Sequence, residues 1–475
     1  MQTTATKPAT RVTAPGGTYD GIDTGRGLAF LGVPYAEQPA GLDRFRPPRP
    51  LREGGTFDAT RPGNACIQQT APAPDWAVIR GPQTFGEDCL NLNLWTPAAD
   101  ARRRPVIVHA FGGSFQHGSA TGGHLDGGAF TAANDVVLVR PNLRTGALGF
   151  LHLADAFPDL NQTNRSMLDL AQALRWIRAN AAAFGGDPDN ITLAGMSSGA
   201  FTAAALFGAP GGADLFDKCW LMSGYASRIL DPANAARIAA DFLDRAGIAP
   251  GDDAALAALP ADRILDLQMQ VVSLNLAERS SPGGRTLGIV QDGTSMPRHP
   301  RDALAAGAGA RTPMVVGRTA HEARLWYARG LMGDVDADRL RLTVSRFETG
   351  GTDAALAEIA AACPGASPIQ QEEWFLTDRI YRLESERTAA AQRAGGGQAW
   401  TYQFAWTPSG AHADLGAAHG FDEPFVYGLH DPARVPVTQD DPTARPVASR
   451  MEAALARFAH EGDPGWSDDP MVFAP

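Results

Sequence analysis

Apolar and polar side chains alternate along the chain in patterns typical of a sheet with helices between its strands. Residues 90–96 alternate as a half-buried strand does, whereas 105–111 and 135–140 are short apolar runs typical of strands covered on both faces. Residues 313–317 and 399–405 continue this series further along the chain. We expect all of these segments to be strands of one central sheet.

The segments between these strands carry helical periodicity. In residues 167–183 the apolar side chains of Leu170, Leu174 and Ile177 recur at i, i+4 and i+7. A further helical region covers roughly residues 230–275. Strands that alternate with helices in this way predict an α/β protein with a doubly wound, mostly parallel sheet and helices on both faces.

The first part of the chain is less regular. Residues 16–36 predict short strands joined by turns, and the Pro-rich segment 39–50 predicts an ordered surface loop that is not helical. We expect residues 1–12 to be flexible and residues 1–475 to form a single domain, as α/β enzymes of this length often do. The first ten residues are polar and lack the apolar core of a secretory signal, which favours a cytoplasmic location unless a signal has been removed.

The stretch Gly195-Met-Ser197-Ser-Gly199 joins an apolar, β-branched run to a helix-prone run. The pattern G-x-S-x-G at such a junction indicates a nucleophile elbow, a sharp strand-to-helix turn on which the serine adopts a strained positive φ. The residues two before and two after the serine have no room for a Cβ, and glycine meets that demand at both places. The pattern alone is a weak signal in a chain with 52 glycines, so its context must decide.

Composition narrows the range of functions. Hydrophobic residues make up 44% and charged residues 20% of the chain, as in ordinary soluble globular proteins. The formal net charge of -11 argues against nucleic acid and anionic membrane surfaces as partners, because both attract clustered Lys and Arg. No apolar stretch is long enough to span a membrane. The cysteines form no C-x-x-C pair and no histidines cluster at zinc-ligand spacing, so we expect neither a metal nor a cofactor.

Several stretches together resemble one enzyme family. They are FLGVPYAEQPAG at 30–41, EDCLNLNLWTP at 87–97, GGSFQHGS at 112–119, LDLAQALRWIRANAAAFGGDPDNITLAGMSSGA at 168–200 and GAAHGFDEPFVYGL at 416–429. In this order, over most of the chain, they are similar to the type-B carboxylesterases, the cholinesterase-like branch of the α/β-hydrolases. The resemblance implies the α/β-hydrolase fold, insertions that form a substrate gorge, and a small-molecule ester as the binding partner.

The resemblance also supplies partners for Ser197. A neutral hydroxyl is a poor nucleophile, so it needs an imidazole to take its proton and a carboxylate to orient that imidazole. His419 matches the catalytic histidine of the family, and Glu322, which lies five residues after Gly317 at the end of a predicted strand, matches its catalytic acid. The order Ser, acid, His along the chain is the one expected for this fold.

Neighbouring residues offer alternatives for the histidine and the acid. His321, His412 and His430 lie near the predicted histidine in sequence. Asp422 is the rival acid, although it is too close to that histidine along the chain to approach it from an opposite loop. Without the family match, the position of Glu322 is equally typical of an exposed carboxylate at the start of a helix. The family match favours the first assignment over each of these.

The loop after residue 111 matches the oxyanion hole of the family. Acyl transfer places a negative charge on an oxygen, and pre-aimed backbone N–H groups stabilise that charge. Gly113 and Ser114 match two of the donors, and the N–H of Ser198 would be the third. This chain departs from the family at two points: it has FGGSF where HGGGF is usual, which puts Ser114 in place of a glycine, and it has Met196 where a glutamate usually precedes the nucleophile.

The resemblance assigns further residues to the surroundings of the site. Cys66 and Cys89 match the first disulfide of the family, which closes a loop that contains Trp76. The other two cysteines, at 219 and 363, are expected to be free and to serve in packing. The side chains that we expect to line the substrate pocket are Met196, Trp76, Leu325, Trp326 and Phe421. For Trp76, packing at the surface is the alternative.

The leading hypothesis is a cofactor-independent serine carboxylic-ester hydrolase, in which Ser197 forms an acyl-enzyme and His419 moves the proton. Because Met196 brings no negative charge, we expect small to medium neutral esters to be preferred over choline esters, and the imidazole to stay a base at mildly acidic pH. A space-filling role for Met196 is the alternative. Two other functions are weighed against hydrolysis: acyl transfer, lactonisation or proton transfer on a natural product with the same Ser and His, and binding by an inactive scaffold.

Overall fold

The apolar runs of the sequence form strands of one sheet in the computed structural model, which describes residues 9–52, 54–70, 73–78, 83–121 and 127–475. The strands in chain order are β1 (Ala9–Ala14), β2 (Gly17–Asp23), β3 (Leu28–Pro34), β4 (Thr56–Asp58), β5 (Ala65–Cys66), β6 (Phe85–Gly86), β7 (Asn91–Thr96), β8 (Arg104–Ala110), β9 (Val137–Pro141), β10 (Gly186–Met196), β11 (Lys218–Met222), β12 (Met314–Thr319), β13 (Ala399–Phe404) and β14 (Met471–Phe473).

Helices fill most of the intervals between the later strands. In chain order they are α1 (Gly127–Asn134), α2 (Gly146–Phe150), α3 (Arg165–Asn180), α4 (Ser198–Ala205), α5 (Pro232–Ala246), α6 (Asp253–Ala258), α7 (Ala261–Val271), α8 (Leu276–Ser280), α9 (Pro300–Ala305), α10 (Arg324–Ala328), α11 (Ala337–Phe347), α12 (Thr352–Ala362), α13 (Pro368–Thr377), α14 (Leu383–Ala394), α15 (Asp422–Val426) and α16 (Ala444–Glu461). A π-helical turn, Asp378–Arg382, joins α13 to α14. Among the described residues, no helix is both long enough and apolar enough to cross a membrane.

The sheet is mixed, with its parallel part in the centre and on one side. Its strand order is β1-β2-β3-β7-β9-β8-β10-β11-β12-β13-β14, with β4 beside β2, while β5 and β6 pair separately. Neighbouring strands from β9 to β14 are parallel, and those from β1 to β9 along this path are antiparallel. The predicted doubly wound, mostly parallel sheet is therefore confirmed.

Each face of the sheet carries its own hydrophobic core. Along β8, Val106 and Val108 belong to one core, whereas Ile107 between them belongs to the other, because successive side chains of a strand point to opposite faces. Helix α3 packs into the first core through Leu170, and α16 packs into the second through Leu455. Helices cover both faces, as the alternation of strands and helices predicts.

The predicted flexibility of residues 1–12 is wrong for 9–12. These residues belong to β1, which pairs with β2 in antiparallel register, with Thr10 opposite Gly21. The β-branched threonine and valine side chains of this segment suit an edge strand, and the ladder of backbone hydrogen bonds holds it in place. The remaining residues, 1–8, lie outside the described part of the chain.

The segment 39–50 is also more than a surface loop. It contains a 3-10 turn at Gly41–Phe45, with Phe45 fully buried. Arg44 is buried as well, and its guanidinium donates to the carbonyl oxygens of Leu256 and Leu259 at 2.8 and 2.6 Å. The turn is fixed by these long-range contacts, which the proline content of the segment does not reveal.

The carboxyl ends of β8, β10, β11 and β12 lie side by side, because these strands are parallel neighbours. In parallel sheets of this kind, ligands bind at the edge where the strands end. Strand β11, Lys218–Met222, is not among the strands predicted from the sequence, yet it separates the strand that leads to Ser197 from the strand that leads to Glu322. Ser197 and Glu322, which the sequence predicts to be catalytic, therefore follow strands that end at the same edge of the sheet.

Candidate active site

Ser197 lies on a sharp turn between β10 and α4. Its φ and ψ are 52° and -122°, and its N–H donates to the carbonyl oxygen of Met222 at 2.8 Å. A Cβ at Gly195 would lie 2.8 Å from the Cα of Ala200, and one at Gly199 would overlap a carbonyl oxygen at the end of β8. Both glycines are therefore required by the close approach of strand and helix, which is the geometry expected of a nucleophile elbow.

The structure brings Ser197, His419 and Glu322 into one hydrogen-bonded chain. The Oγ of Ser197 lies 2.8 Å from Nε2 of His419, and Nδ1 of the same ring lies 2.5 Å from Oε2 of Glu322. All three side chains are buried, and Glu322 has no exposed surface. A carboxylate at Nδ1 fixes the tautomer that leaves Nε2 free to accept the proton of the serine.

Glu322 is itself held in place by groups that the sequence analysis missed. Its second oxygen, Oε1, accepts hydrogen bonds from the hydroxyl of Ser223 at 2.7 Å and from the backbone N–H of Thr319 at 2.8 Å. Ser223 directly follows β11 and has a φ of 52°. A polar residue immediately after a parallel strand is a signal that could have pointed to Ser223, had β11 been recognised.

Three of the rival residues, His321, His430 and Asp422, have other hydrogen-bond partners. Nδ1 of His321 accepts from a backbone N–H at 3.1 Å, and Nδ1 of His430 lies 3.0 Å from the carbonyl oxygen of Gly428. Asp422 accepts from the hydroxyl of Tyr402 at 2.7 Å. Burial, together with the nearby charge of the triad acid, raises the pKa of Asp422 to about 7.

The loop after β8 packs directly on the nucleophile. A Cβ at Gly112 would lie 3.1 Å from the Cβ of Ser197, and the backbone continues through Gly113 with a φ of 147° and Ser114 with a φ of 58°. Within the described residues, the N–H groups of Gly113, Ser114 and Ser198 make no backbone hydrogen bond, the last because it opens α4. These are the donors predicted for the oxyanion hole, and they are unused.

Two of the predicted pocket residues, Met196 and Trp326, lie beside this chain. The thioether of Met196 lies against both Gly112 and Gly420, so it sits between the oxyanion loop and the histidine loop. The ring of Trp326 is centred 5.0 Å from that of His419. Phe421 contacts Trp76, with ring centroids 5.9 Å apart. The last predicted member, Leu325, is partly buried against both cores.

A further aromatic residue at the site was not predicted. Tyr381 lies on the π-helical turn between α13 and α14, and its ring is centred 5.2 Å from that of His419. π-Helical turns are rare and often occur at functional sites. They leave no periodic signal in the sequence, so only the fold places Tyr381 beside the histidine.

The disulfide predicted between Cys66 and Cys89 is wrong for this structure, in which both are free thiols. They are buried side by side, and a hydrogen bond between them lowers the pKa of Cys66 and raises that of Cys89. The Sγ of Cys66 also accepts from the N–H of Thr145 at 3.4 Å. Two free thiols thus lie where the resemblance to the family predicts a disulfide. The remaining cysteines, Cys219 and Cys363, are free, as predicted.

Within the part of the chain that the structure describes, no group of three or more His, Cys, Asp or Glu side chains is arranged to hold a metal ion. The titratable groups gathered at the edge of the sheet are instead linked in the pairwise pattern described above, from hydroxyl to imidazole to carboxylate. That order suits the transfer of a proton away from an oxygen nucleophile.

A model of the carboxylesterase family matches residues 8–473 of the chain. The chain belongs to the carboxylesterase family. This carboxylesterase is 31% identical over 440 residues to the para-nitrobenzyl esterase of Bacillus subtilis (strain 168), which covers 92% of this chain and 86% of that protein. It is 32% identical over 466 residues to the phenmedipham hydrolase of Pseudarthrobacter oxydans, which covers 93% and 90% of the two chains.

Solved structures of carboxylesterases share its fold. The carboxylesterase EST55 of Geobacillus stearothermophilus at pH 6.2 superposes with a TM-score of 0.83 at 32% identity, covering 98% of this chain and 96% of that one. A PNB esterase superposes with a TM-score of 0.84 at 28% identity, covering 98% and 92%. The family and the α/β-hydrolase fold that the sequence motifs predict are confirmed.

Proposed function

We propose that this carboxylesterase hydrolyses esters through a covalent acyl-enzyme on Ser197, with His419 as general base and then general acid. The observation that carries the proposal is the continuous hydrogen-bonded chain from the Oγ of Ser197 through both ring nitrogens of His419 to Glu322. A serine hydroxyl needs such a base to attack an ester carbon, and the elbow presents that hydroxyl to the edge of the sheet where ligands bind.

In the proposed mechanism the Oγ of Ser197 attacks the acyl carbon while its proton passes to Nε2 of His419. The negative charge that develops on the carbonyl oxygen is stabilised by the N–H groups of Gly113, Ser114 and Ser198. The imidazolium then gives its proton to the leaving alcohol, and the ester C–O bond breaks. Water attacks the acyl-enzyme by the same route in reverse, which releases the carboxylic acid and restores the serine.

The side chain before the nucleophile bears on the choice of substrate. Met196 packs between Gly112 and Gly420, next to the nucleophile, and its side chain is uncharged. A carboxylate at this position would attract a quaternary ammonium group, and Met196 supplies none. We therefore expect small to medium neutral esters to be hydrolysed in preference to choline esters, and comparison of kcat/KM for butyl acetate and acetylcholine measures this.

Two measurements on the wild-type protein separate the functions considered. One is hydrolysis of p-nitrophenyl butyrate, and the other is labelling by a fluorophosphonate probe, with the modified residue located by mass spectrometry. Hydrolysis together with labelling at Ser197 supports the proposal. Labelling with negligible turnover favours a non-hydrolytic use of the same Ser and His, and the absence of both favours an inactive scaffold.

Variants of the triad test the roles of its members. We expect Ser197→Ala and His419→Ala each to lower kcat by at least about 1,000-fold while the protein stays folded, because the triad acts as a unit. Glu322→Gln should lower kcat less, since the serine and the imidazole are kept. His412→Ala removes a partly exposed histidine of the same loop and serves as the matched control. A Ser197→Ala variant that kept half of the activity would contradict the proposal.

A further inference from the structure

Two arginines lie beside the triad without an acidic partner. Arg228 follows β11 and packs its guanidinium over the ring of Phe201, 5.5 Å from the ring centroid. Arg279, on α8, is 4% exposed and donates from Nη2 to the carbonyl oxygen of Ser114 at 2.8 Å, while its Nε has no partner. Within the described residues, neither guanidinium forms an ion pair, and no carboxylate is among the charges that act on either of them.

Three neighbours of the pair, Ser114, Phe201 and Tyr381, place it close to the catalytic groups. Ser114 belongs to the oxyanion loop, and Phe201 lies one helical turn after the nucleophile on α4. Both guanidinium charges act on the hydroxyl of Tyr381, whose ring contacts His419. Arg228 is partly exposed, whereas Arg279 is buried.

Other buried arginines of this protein are compensated. Arg144 forms an ion pair with Asp169 at 2.5 Å, and Arg44 forms one with Glu87 at 3.0 Å. Arg165, which has no carboxylate partner, donates to four backbone carbonyl oxygens instead. Burying a cation without such compensation is costly, so two uncompensated guanidinium groups near one another mark a place that favours an anion.

The two positive charges of the pair repel each other. Burial, and then repulsion by the charge of Arg228, lowers the pKa of Arg279 to about 9. Glu322 cannot serve as a counter-ion for the two arginines. Its two oxygens already accept hydrogen bonds from His419, from Ser223 and from the N–H of Thr319. An oxyanion bound at the pair would relieve this repulsion and would satisfy the free donors, since guanidinium forks suit carboxylate geometry.

We propose that Arg228 and Arg279 form a carboxylate-binding subsite, so that the preferred substrates are esters that carry a free carboxylate on the acyl or the alcohol part. This proposal rests on the proposed ester hydrolysis and goes beyond the preference for neutral over choline esters. No hydrogen bond from the described part of the chain engages the guanidinium of Arg228, so it is available to the substrate. Arg279 in addition supports the oxyanion loop.

The experiment compares pairs of esters that differ by a carboxylate. Monomethyl glutarate against methyl valerate tests the acyl side, and 3-acetoxybenzoate against phenyl acetate tests the alcohol side, with product followed by chromatography. We expect kcat/KM to favour the anionic ester by at least about tenfold in one of the two comparisons. In Arg228→Gln this ratio should fall by at least about tenfold, and Arg228→Lys, which keeps the charge, should recover part of it.

Arg311→Gln is the matched control, because Arg311 is 90% exposed and far from the strand ends that hold the triad. Should Arg228→Gln fail to fold, competition in the wild type gives a second readout. Glutarate at constant ionic strength should inhibit hydrolysis of methyl valerate competitively, whereas 1,5-pentanediol should not.

Two results would overturn the subsite: a ratio near one in both ester comparisons, or a preference that Arg228→Gln leaves unchanged. In either case hydrolysis of the neutral esters would persist, and only the subsite would be refuted. Absence of hydrolysis for every ester, together with absence of fluorophosphonate labelling, would instead refute the proposed function on which the subsite rests.

Discussion

Met196 lies between the oxyanion loop and the histidine loop, at the position where the family pattern has a glutamate. We expect Met196→Glu to move the acidic limb of the kcat/KM profile for a neutral ester to higher pH. The physical reason is that an anion near the imidazole stabilises its protonated form, which is inactive as a base. The measurement is kcat/KM against pH for both proteins.

Met196→Gln is the matched control for that experiment, because it has the size and polarity of the glutamate without its charge. We expect its acidic limb to coincide with that of the wild type. If the limb of a folded Met196→Glu variant stayed in place or moved to lower pH, Met196 would act only in packing, and the pH range of the enzyme would depend on other groups.

Asp422 carries a pH dependence of stability. Its pKa is raised to about 7 by burial and by Glu322, whereas an aspartate in an unfolded chain titrates near about 3.9. Between these values the folded protein holds a proton that the unfolded chain has lost, so stability falls as pH rises through this window and then levels off. We expect Asp422→Asn, which stays neutral, to raise the free energy of unfolding at pH 8 by about 1–3 kcal/mol.

That gain should largely vanish at pH 3, where the aspartate is protonated in the folded protein and mostly protonated in the unfolded chain, and denaturant midpoints at the two pH values measure it. Asp334→Asn, at an exposed site, controls for loss of an acidic residue. An equal effect of Asp422→Asn at both pH values would show that the titration of this carboxyl does not govern the stability.

Individual residues of the candidate active site could be predicted where local motifs report them. Ser197 is marked by its flanking glycines, and His419 and Glu322 by motifs that resemble a known family. Ser223 and Tyr381 could not be predicted, because each reaches the site through long-range packing and has no local pattern of its own. The same holds for the two arginines, whose lack of a counter-ion becomes visible only when their neighbours are known.

The elbow is the element on which the geometry of the site depends most. A Cβ at Gly199 would overlap a backbone carbonyl oxygen of β8, which cannot move without shifting the oxyanion loop. We expect Gly199→Ala to lower kcat by at least about 100-fold, because a displacement of about 1 Å at a catalytic group costs that much. The measurement is kcat for p-nitrophenyl butyrate alongside circular dichroism.

The control is Gly351→Ala, where a Cβ would meet nothing within 4 Å and φ is -120°. We expect its kcat to match that of the wild type. Full activity of Gly199→Ala would mean that the strand and the helix at the elbow can separate freely, and that this contact does not fix the oxyanion loop.

Strands and helices with a clear period could be predicted to within a few residues. The apolar run 105–111 is β8, Arg104–Ala110, and the helix expected at 167–183 is α3, Arg165–Asn180, followed by a 3-10 turn. Strand β11 was not predicted because it is short and because the composition does not change clearly between the preceding loop and the strand. The 3-10 turn in 39–50 escaped because it depends on contacts with residues more than 200 positions away.

At the scale of the whole molecule, the alternation of strands and helices predicted the class of fold but not the sheet order. The antiparallel side, β1-β2-β3-β7, is assembled from short segments, of which only β7 has a regular alternating sequence. Their places follow from pairing partners, such as β7 between β3 and β9, and no property of a single segment specifies a partner. The parallel side is better predicted because crossover helices impose its connections.

A buried ion pair connects three separate segments of the chain. Asp169, on α3, accepts from the guanidinium of Arg144 at 2.5 and 2.9 Å and from its backbone N–H at 3.0 Å. The same guanidinium donates to the carbonyl oxygens of Arg44 and Arg46, at 3.0 and 2.6 Å. One ion pair thereby links the N-terminal turn, the loop after β9 and the helix that precedes the nucleophile strand.

We expect Asp169→Asn to lower the free energy of unfolding by about 3–5 kcal/mol, because it leaves the charge of Arg144 buried without compensation. Asp189→Asn is the matched control: it breaks the contact with Arg103 at 2.8 Å, but Asp189 is 74% exposed, so water replaces that contact and the loss should stay below about 1 kcal/mol. Urea midpoints of both variants and the wild type, measured at one pH, test the difference. Equal midpoints for the two variants would mean that backbone carbonyls alone can satisfy Arg144, and that the sheet and its N-terminal turn are joined by packing rather than by this ion pair.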